Sequence, residues 1–391
     1  MKKYYIIIFG ILLISMQAFS QRQLLTNINA WAYQLQGVNI SQIASDTTFK
    51  LVVIDYSSNG TDENKFTPKE IEQIKSSGKK VIAYISIGEA ENYRYYWNNA
   101  WDKTLPIWID AVNTGLPGNY NVKFWYPAWQ KIIFAYTDTI IKQGFDGIYM
   151  DLIDSYYYWM VENSQQPLAD TLMIQFVKNI RHHVDSVTGN QNFIMIPQNA
   201  EEIINSANVS ASQKTAYLDA VNAIGVEDIF YYGTQNENNQ FNPDTFRIRQ
   251  LLQWQANNKQ IFSIDYLSQP LLINQYAVGA HSYNFVPYAC VRELDQLCEG
   301  IPANLNVSDE LDNVMIYPNP SDGKINIYEN FAVDKYEIQV FTSFGQPLGK
   351  WTVKKRGDVV HIDLSDFPNG IYYLSINIGK GSAYKKIVIN H

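Results

Sequence analysis

The residues in this chain best suited to chemistry are carboxylates that close short apolar runs. In "GFDGIYMDLIDSYYYW" (144–159), Asp151 and Asp154 follow Ile148–Met150, and Tyr156, Tyr157, Tyr158 and Trp159 come directly behind. Asp55 falls at the end of "LVVIDYS", Glu89 and Glu91 after "KVIAYISIG", Glu227 and Asp228 after "AIGV", and Asp265 after "QIFSI". Singly, an acid after a strand is often the N-cap of the next helix. Gathered on one rim, these eight repel one another and raise one another's pKa, so a proton donor arises beside an ionised partner. That is what glycosidic cleavage needs: one carboxylate to attack or stabilise the oxocarbenium centre, and one acid to protonate the leaving oxygen. The rings behind these acids suit sugar faces, although for any one of them packing under the insertion is the better explanation.

Eight runs supply those ends: 31–38, 51–57, 80–90, 147–153, 192–200, 223–231, 260–267 and 281–289. Amphipathic segments such as "PAWQKIIFAYTDTIIKQG" and "FRIRQLLQWQANN" lie between them. Thr67, Pro68 and Glu70 predict a capped helix start, and Gly78 and Gly144 predict helix stops. Eight strands alternating with helices predict an α/β fold, a (β/α)8 TIM-type barrel over residues 21–300, with chemistry at the carboxyl ends of its strands. A doubly wound open sheet is the rival, weakened because no glycine-rich phosphate loop follows any strand. Residues 91–127 read as an insertion over one end. The only basic residues close behind strand ends are Arg94 and Arg292.

The texture changes near residue 300. Residues 301–312 read as a linker, and 313–391 carry about seven short alternating runs divided by turns such as Asn369-Gly370. They predict an all-β immunoglobulin-like sandwich.

Residues 1–20 carry Lys2 and Lys3, an apolar core, then Ala18 and Ser20. They predict a secretory signal peptide cut before Gln21, too short in its core for a membrane span, and no later stretch suits one. Cleavage takes Lys+Arg from 30 to 28 against 38 Asp+Glu, a mature charge of −10 that argues against nucleic acid and for a cationic partner. Cys290 and Cys298 are the two cysteines. Were "CVRELDQLC" one continuous helix, its ends would stand about 12 Å apart, beyond a disulfide's reach, so a bridge requires a helix break. The five histidines are scattered, so no metal is expected.

"FDGIYMDLID" is similar to the active strand of family 18 chitinases, D-x-x-D-x-D-x-E. Tyr149 replaces the second acid and Ile153 the catalytic Glu, so that mechanism does not carry over. Residues 28–300 more closely resemble glycoside hydrolase family 114, the endo-α-1,4-polygalactosaminidases and their relatives. "YISIGEAENYRYYW", "GFDGIYMDLIDSY", "GVEDIFY", "SIDYL" and "FVPYACVREL" carry the resemblance. It implies a barrel whose catalytic pair ends strands four and six: Asp151 as nucleophile or ionised stabiliser, Glu227 as general acid/base. Asp55, Tyr56, Glu89, Glu91, Arg94, Asp154, Asn199, Asp265 and Tyr266 become candidate substrate-binding residues, with Glu89 an alternative acid and Asp228 an outward neighbour of Glu227. It implies a cationic galactosamine-containing polysaccharide as substrate and no cofactor. A non-catalytic polysaccharide-binding barrel, or a glycosidase for another sugar polymer, are the other readings.

"IYPNPSDGKINI", "VFTSFGQPLGKW", "DLSDFPNGIYYLSI" and "KKIVI" resemble the type IX secretion sorting domain. Residues 313–391 would then engage that machinery, implying passage through the periplasm and release or attachment at the outer cell surface.

Overall fold

The computed structural model describes residues 24–25, 27–113, 115–189, 192–301, 314–328, 335–342, 346–354, 359–377 and 382–391. The signal peptide and all of the linker but Ile301 lie outside them. Residues through Ser268 with Phe285–Gly300 form one unit, and Gln269–Asn284 with Ile301–His391 a second.

In chain order the first unit contains β1 (Trp31–Gln34), β2 (Leu51–Ile54), β3 (Lys80–Ser86), β4 (Glu89–Glu91), β5 (Ile109–Val112), β6 (Asn119–Val122), β7 (Gly147–Asp151), β8 (Ile194–Pro197), β9 (Ala223–Glu227), β10 (Gln260–Tyr266) and β11 (Val286–Cys290). Strands β1-β2-β3-β7-β8 pair in parallel, as do β9-β10-β11. A parallel bridge between Gln198 and Gly225 joins the two runs, and the Trp31 indole donates to the Val286 carbonyl at 2.9 Å across the seam from β1 to β11. These eight strands are those read from the apolar runs, and the ring is the expected (β/α)8 barrel. Its strands are buried on both faces, which is why they read as continuous Val/Ile runs.

Aromatic rings fill the interior. Trp31 lies 5.3 Å from Phe262 and Tyr33 lies 5.2 Å from Tyr149, centroid to centroid. Gly225 makes room for this: a Cβ there would stand 1.9 Å from the Tyr149 hydroxyl oxygen. Outside the ring, the helix Pro68–Lys75 starts on the Thr67–Glu70 capping box, and Pro127–Gln143 stops at Gly144 in the left-handed region. The insertion folds into a small antiparallel sheet, β4-β6-β5. Its Trp101 packs on its Trp108 at 5.2 Å, and Trp108 packs in turn on Trp129 of the helix Pro127–Gln143 at 5.3 Å.

The helix that would hold the cysteines apart does not form. Cys290 ends β11, the chain then turns, and the Leu294 carbonyl accepts from the backbone N–H groups of Leu35 and Gln36 at 2.8 and 3.0 Å. Those bonds tie the segment to the end of β1 and reverse it, bringing the cysteine Cα atoms to 5.4 Å in a disulfide. The crosslink closes a loop of 8 residues. Replacing both cysteines by serine is expected to lower unfolding free energy by about 2 kcal/mol. Denaturant midpoints of the oxidised parent and the double variant check this, and coincident midpoints would refute it.

In the second unit, β12 (Met315–Tyr317), β13 (Lys324–Tyr328) and β16 (Val359–Asp363) form one antiparallel sheet. β15 (Pro347–Lys354), β14 (Lys335–Thr342), β17 (Gly370–Asn377) and β18 (Ser382–Ile389) form the other. Alternate residues such as Ile325, Ile327, Ile338, Val340, Leu374 and Ile376 build the core between them, giving the predicted sandwich. Among the described residues no helix is long and apolar enough to cross a membrane.

Candidate active site

Asp151 closes β7, the fourth barrel strand, and Glu227 closes β9, the sixth. The Tyr84 hydroxyl donates to Asp151 Oδ2 at 2.8 Å, and the Leu152 backbone N–H to Oδ1 at 2.7 Å. Leu152 adopts φ 59°, the left-handed turn by which the chain leaves the strand. Asn199 Nδ2 donates to Glu227 Oε1 at 2.9 Å, and the Tyr266 hydroxyl donates to Oε2. Among the described residues neither carboxylate is ion-paired to an arginine or lysine.

The two acids feel each other. Burial first, then the Glu227 charge, push Asp151 up to about 8, against the opposing hydrogen bond from Tyr84. Tyr33, buried in the interior, is raised by burial and by both Asp151 and Glu227. Asp154 is pushed up to about 6 by burial, then by Glu227 and Glu202, with Arg247 partly opposing. Glu202 in turn accepts from the Tyr156 hydroxyl at 2.8 Å. Burial and the crowding of these carboxyl groups thus favour the protonated form of Asp151.

Of the residues expected here, Asp151, Glu227, Asp154, Asn199 and Tyr266 are brought together. The others are engaged by partners outside this group. Asp55 and Glu91 are buried against Arg94, whose Nη1 lies 2.7 Å from Asp55 Oδ2 and whose Nε lies 2.7 Å from Glu91 Oε2. Those three charges are committed to one another. Tyr56 is buried with its ring 4.9 Å from Tyr136 and donates to the Gly60 carbonyl. Glu89 accepts from Asn113 at 2.8 Å and Asn119 at 3.2 Å, which occupies it in the insertion. Asp265, fully buried, accepts from the backbone of Phe230 and Tyr231 and so shapes the turn after β9. Asp228 pairs with Arg292 at 2.9 Å, and that guanidinium covers the Tyr266 ring at 3.8 Å.

The strand ends did not reveal Tyr33, Tyr84, Glu202 or Arg247. Tyr84 and Tyr33 were open to discovery by strand alternation, since each points into the barrel from within a strand. Arg247 sits in the first turn of the helix Thr245–Ala256, 20 residues beyond Glu227, with no local signal; the expectation that Arg94 and Arg292 were the basic residues of the rim overlooked it.

An eight-stranded β/α barrel with crowded, unneutralised acids at the carboxyl ends of its strands has the build of a glycoside hydrolase. Residues 15–303 match the model of Glycoside-hydrolase family GH114, and the chain belongs to that family. Residues 315–390 match the Secretion system C-terminal sorting domain, which implies secretion or a place on the cell surface through the type IX system. The chain is 38% identical over 276 residues to an uncharacterized protein of Methanocaldococcus jannaschii, covering 68% of this chain and 77% of that one. It is 34% identical over 277 residues to one of Thermotoga maritima, covering 68% and 81%. In fold it is similar to the glycoside hydrolase domain of PelA from Pseudomonas aeruginosa, with TM-score 0.52 at 18% identity over 70% of this chain and 98% of that one. It is likewise similar to Aspergillus fumigatus Ega3, solved in complex with galactosamine, with TM-score 0.51 at 18% identity over 69% and 96%.

Proposed function

We propose that this glycoside hydrolase is an exported endo-acting enzyme that cleaves an α-1,4-linked, cationic galactosamine-type polysaccharide. The observation that carries the reading is the crowding of acids at the strand ends: Asp151, Glu227, Asp154 and Glu202 act on one another, with Arg247 the cation that opposes Asp154's raised pKa. A substrate bearing ammonium groups supplies the missing positive charge. Family membership and the galactosamine bound to the similarly folded Ega3 point the same way. Glu227 serves as general acid/base and Asp151 as nucleophile or ionised stabiliser. In the free site Asp151 holds its proton; an ammonium group arriving beside the cluster favours the carboxylate, so the substrate's own charge readies Asp151 for the oxocarbenium centre. Tyr157 and Tyr232, exposed on the segments behind Asp151 and Glu227, suit stacking by a long chain.

Reducing-end release separates the possibilities. At neutral pH a deacetylated galactosamine polymer is expected to be cut at least about tenfold faster than its fully N-acetylated form, because the neutral amide leaves the acids uncompensated. Equal rates on the two polymers would remove the cationic-substrate reading. No release from either would leave a polysaccharide-binding barrel.

A further inference from the structure

Arg247 reaches Glu227 from the helix that follows β9, and its role there rests on the reading that Glu227 is catalytic. Asp244 caps the helix Thr245–Ala256, accepting from the backbone N–H groups of Phe246 and Arg247 at 3.0 Å each, so Arg247 is fixed in the first turn. Its guanidinium makes four hydrogen bonds to three residues. Nε donates to Glu201 Oε1, and Nη2 donates to Glu201 Oε2 at 3.3 Å. Nη1 donates to the Glu227 backbone carbonyl at 3.0 Å, and Nη2 also donates to Asn199 Oδ1 at 3.3 Å. Glu201 is wholly buried, and its backbone carbonyl accepts from the Trp254 indole on the same helix at 2.9 Å. The helix is thus bolted at two points to the short turn that follows Asn199.

A guanidinium can only donate, so whichever atom of Asn199 faces Arg247 must be the amide oxygen. The Glu227 backbone N–H donates to that same oxygen at 3.2 Å. With Oδ1 held from two sides, the amide nitrogen is left facing Glu227 Oε1, where it donates. Asn199 has φ 58°, a left-handed conformation that asparagine tolerates better than most residues, and this places its side chain between the ends of β8 and β9. Arg247 therefore grips Glu227 by its carbonyl and, through Asn199, by its N–H and its carboxylate.

We propose that Arg247 is a positioning residue that sets the orientation of Asn199 and thereby the geometry of the Glu227 carboxylate. It makes no salt bridge or hydrogen bond with that carboxylate, so beyond the pull of its charge on Glu227 and Asp154 its hold passes through Asn199 and the backbone. Lysine cannot take its place fully, because a single ammonium cannot span Glu201, Asn199 and the Glu227 carbonyl in a fixed fork.

A double-mutant cycle on the full chain tests this, with Arg247→Met, Asn199→Ala, their combination, Arg247→Lys, and Glu227→Gln as reference, each assayed for kcat and KM on polymer. Arg247→Met is expected to lower kcat by about 100-fold with KM changed less than about threefold, since the loss is one of catalytic geometry. The double variant is expected to be no slower than the worse single, because both changes break one linkage. Arg247→Lys is expected to recover part of the rate. Should Arg247→Met fail to fold, the same cycle is run with Arg247→Lys, which keeps a charge against Glu201. Losses that multiply in the double variant, or a folded Arg247→Met with near-parental kcat, overturn the inference. Full turnover by Glu227→Gln overturns instead the functional reading beneath it.

Discussion

Asp151→Asn is expected to lose turnover by about four orders of magnitude while becoming more stable above neutral pH. The loss follows from chemistry: an amide neither attacks an anomeric carbon nor carries the charge that steadies it. The gain follows from linkage. Folded, Asp151 keeps its proton up to about 8; unfolded, it releases it near the ordinary aspartate value of about 4. Between those pH values the folded chain binds more protons than the unfolded one, so stability falls as pH rises through the interval. The neutral amide removes that dependence. It is also nearly isosteric, and the Tyr84 hydroxyl can turn to accept from the new N–H group. Binding of polymer should persist, since the fold and the neighbouring acids remain. Thermal melts at pH 5 and pH 8 beside reducing-end assays read both effects. An active Asp151→Asn removes Asp151 from the mechanism, and equal melting shifts at the two pH values contradict its buried proton.

The barrel was legible because most of its strands are short apolar runs, several of them rich in Val and Ile, closed by polar residues, and strands buried on both faces need no alternation to be recognised. Most far ends were overread: 31–38 stops at Gln34, because Leu35 and Gln36 turn their N–H groups to Leu294 instead of continuing the sheet, whereas 281–289 erred at its near end, where a helix runs to Ser282 and the strand is Val286–Cys290. The segment 290–298 left the disulfide open for a related reason. Its polar and apolar spacing permits a helix, and only tertiary bonds to β1 decide that it turns back and closes the disulfide.

The site was half legible. Strand-end position marks which acids sit on the rim, and Asp151, Asp154 and Glu227 carry that mark. Asp55 and Glu91 carry it equally, yet Arg94 neutralises both. Nothing in the local sequence states which rim acids an arginine from an insertion will reach, because that depends on how the insertion folds back. Glu202 and Arg247 were missed for the converse reason. They come from the turn after β8 and the helix after β9, and join the site only through the spatial adjacency of those two strands.

The same insertion arginine carries the largest expected effect on stability. Arg94, Asp55 and Glu91 are only 3, 5 and 2% exposed, so two carboxylates share one cation out of water. Burial raises Asp55 even though Arg94 opposes it, which shows how poorly the pocket tolerates negative charge. Arg94→Met leaves both acids buried without a cation, held only by the Ser57 N–H and the Tyr93 hydroxyl, and the expected loss is about 3–5 kcal/mol, a large part of the 5–15 kcal/mol typical of a domain. Screening by added salt should do little to restore it, since the charges lie beneath the surface. Removing all three charges together, as Arg94→Met with Asp55→Asn and Glu91→Gln, should recover most of the loss, because the penalty lies in the unpaired acids. Activity should follow stability only in part. The Arg94 guanidinium lies 5.9 Å from the Tyr84 ring, and Tyr84 donates to Asp151, so a neutral triple variant that folds well tests whether this cluster also holds Tyr84 in place. Urea denaturation of the parent, the single variant and the triple variant reads the first effect. A loss below about 1 kcal/mol in Arg94→Met, or a triple variant no better than the single, would falsify the account of this triad as a buried, mutually compensating charge cluster.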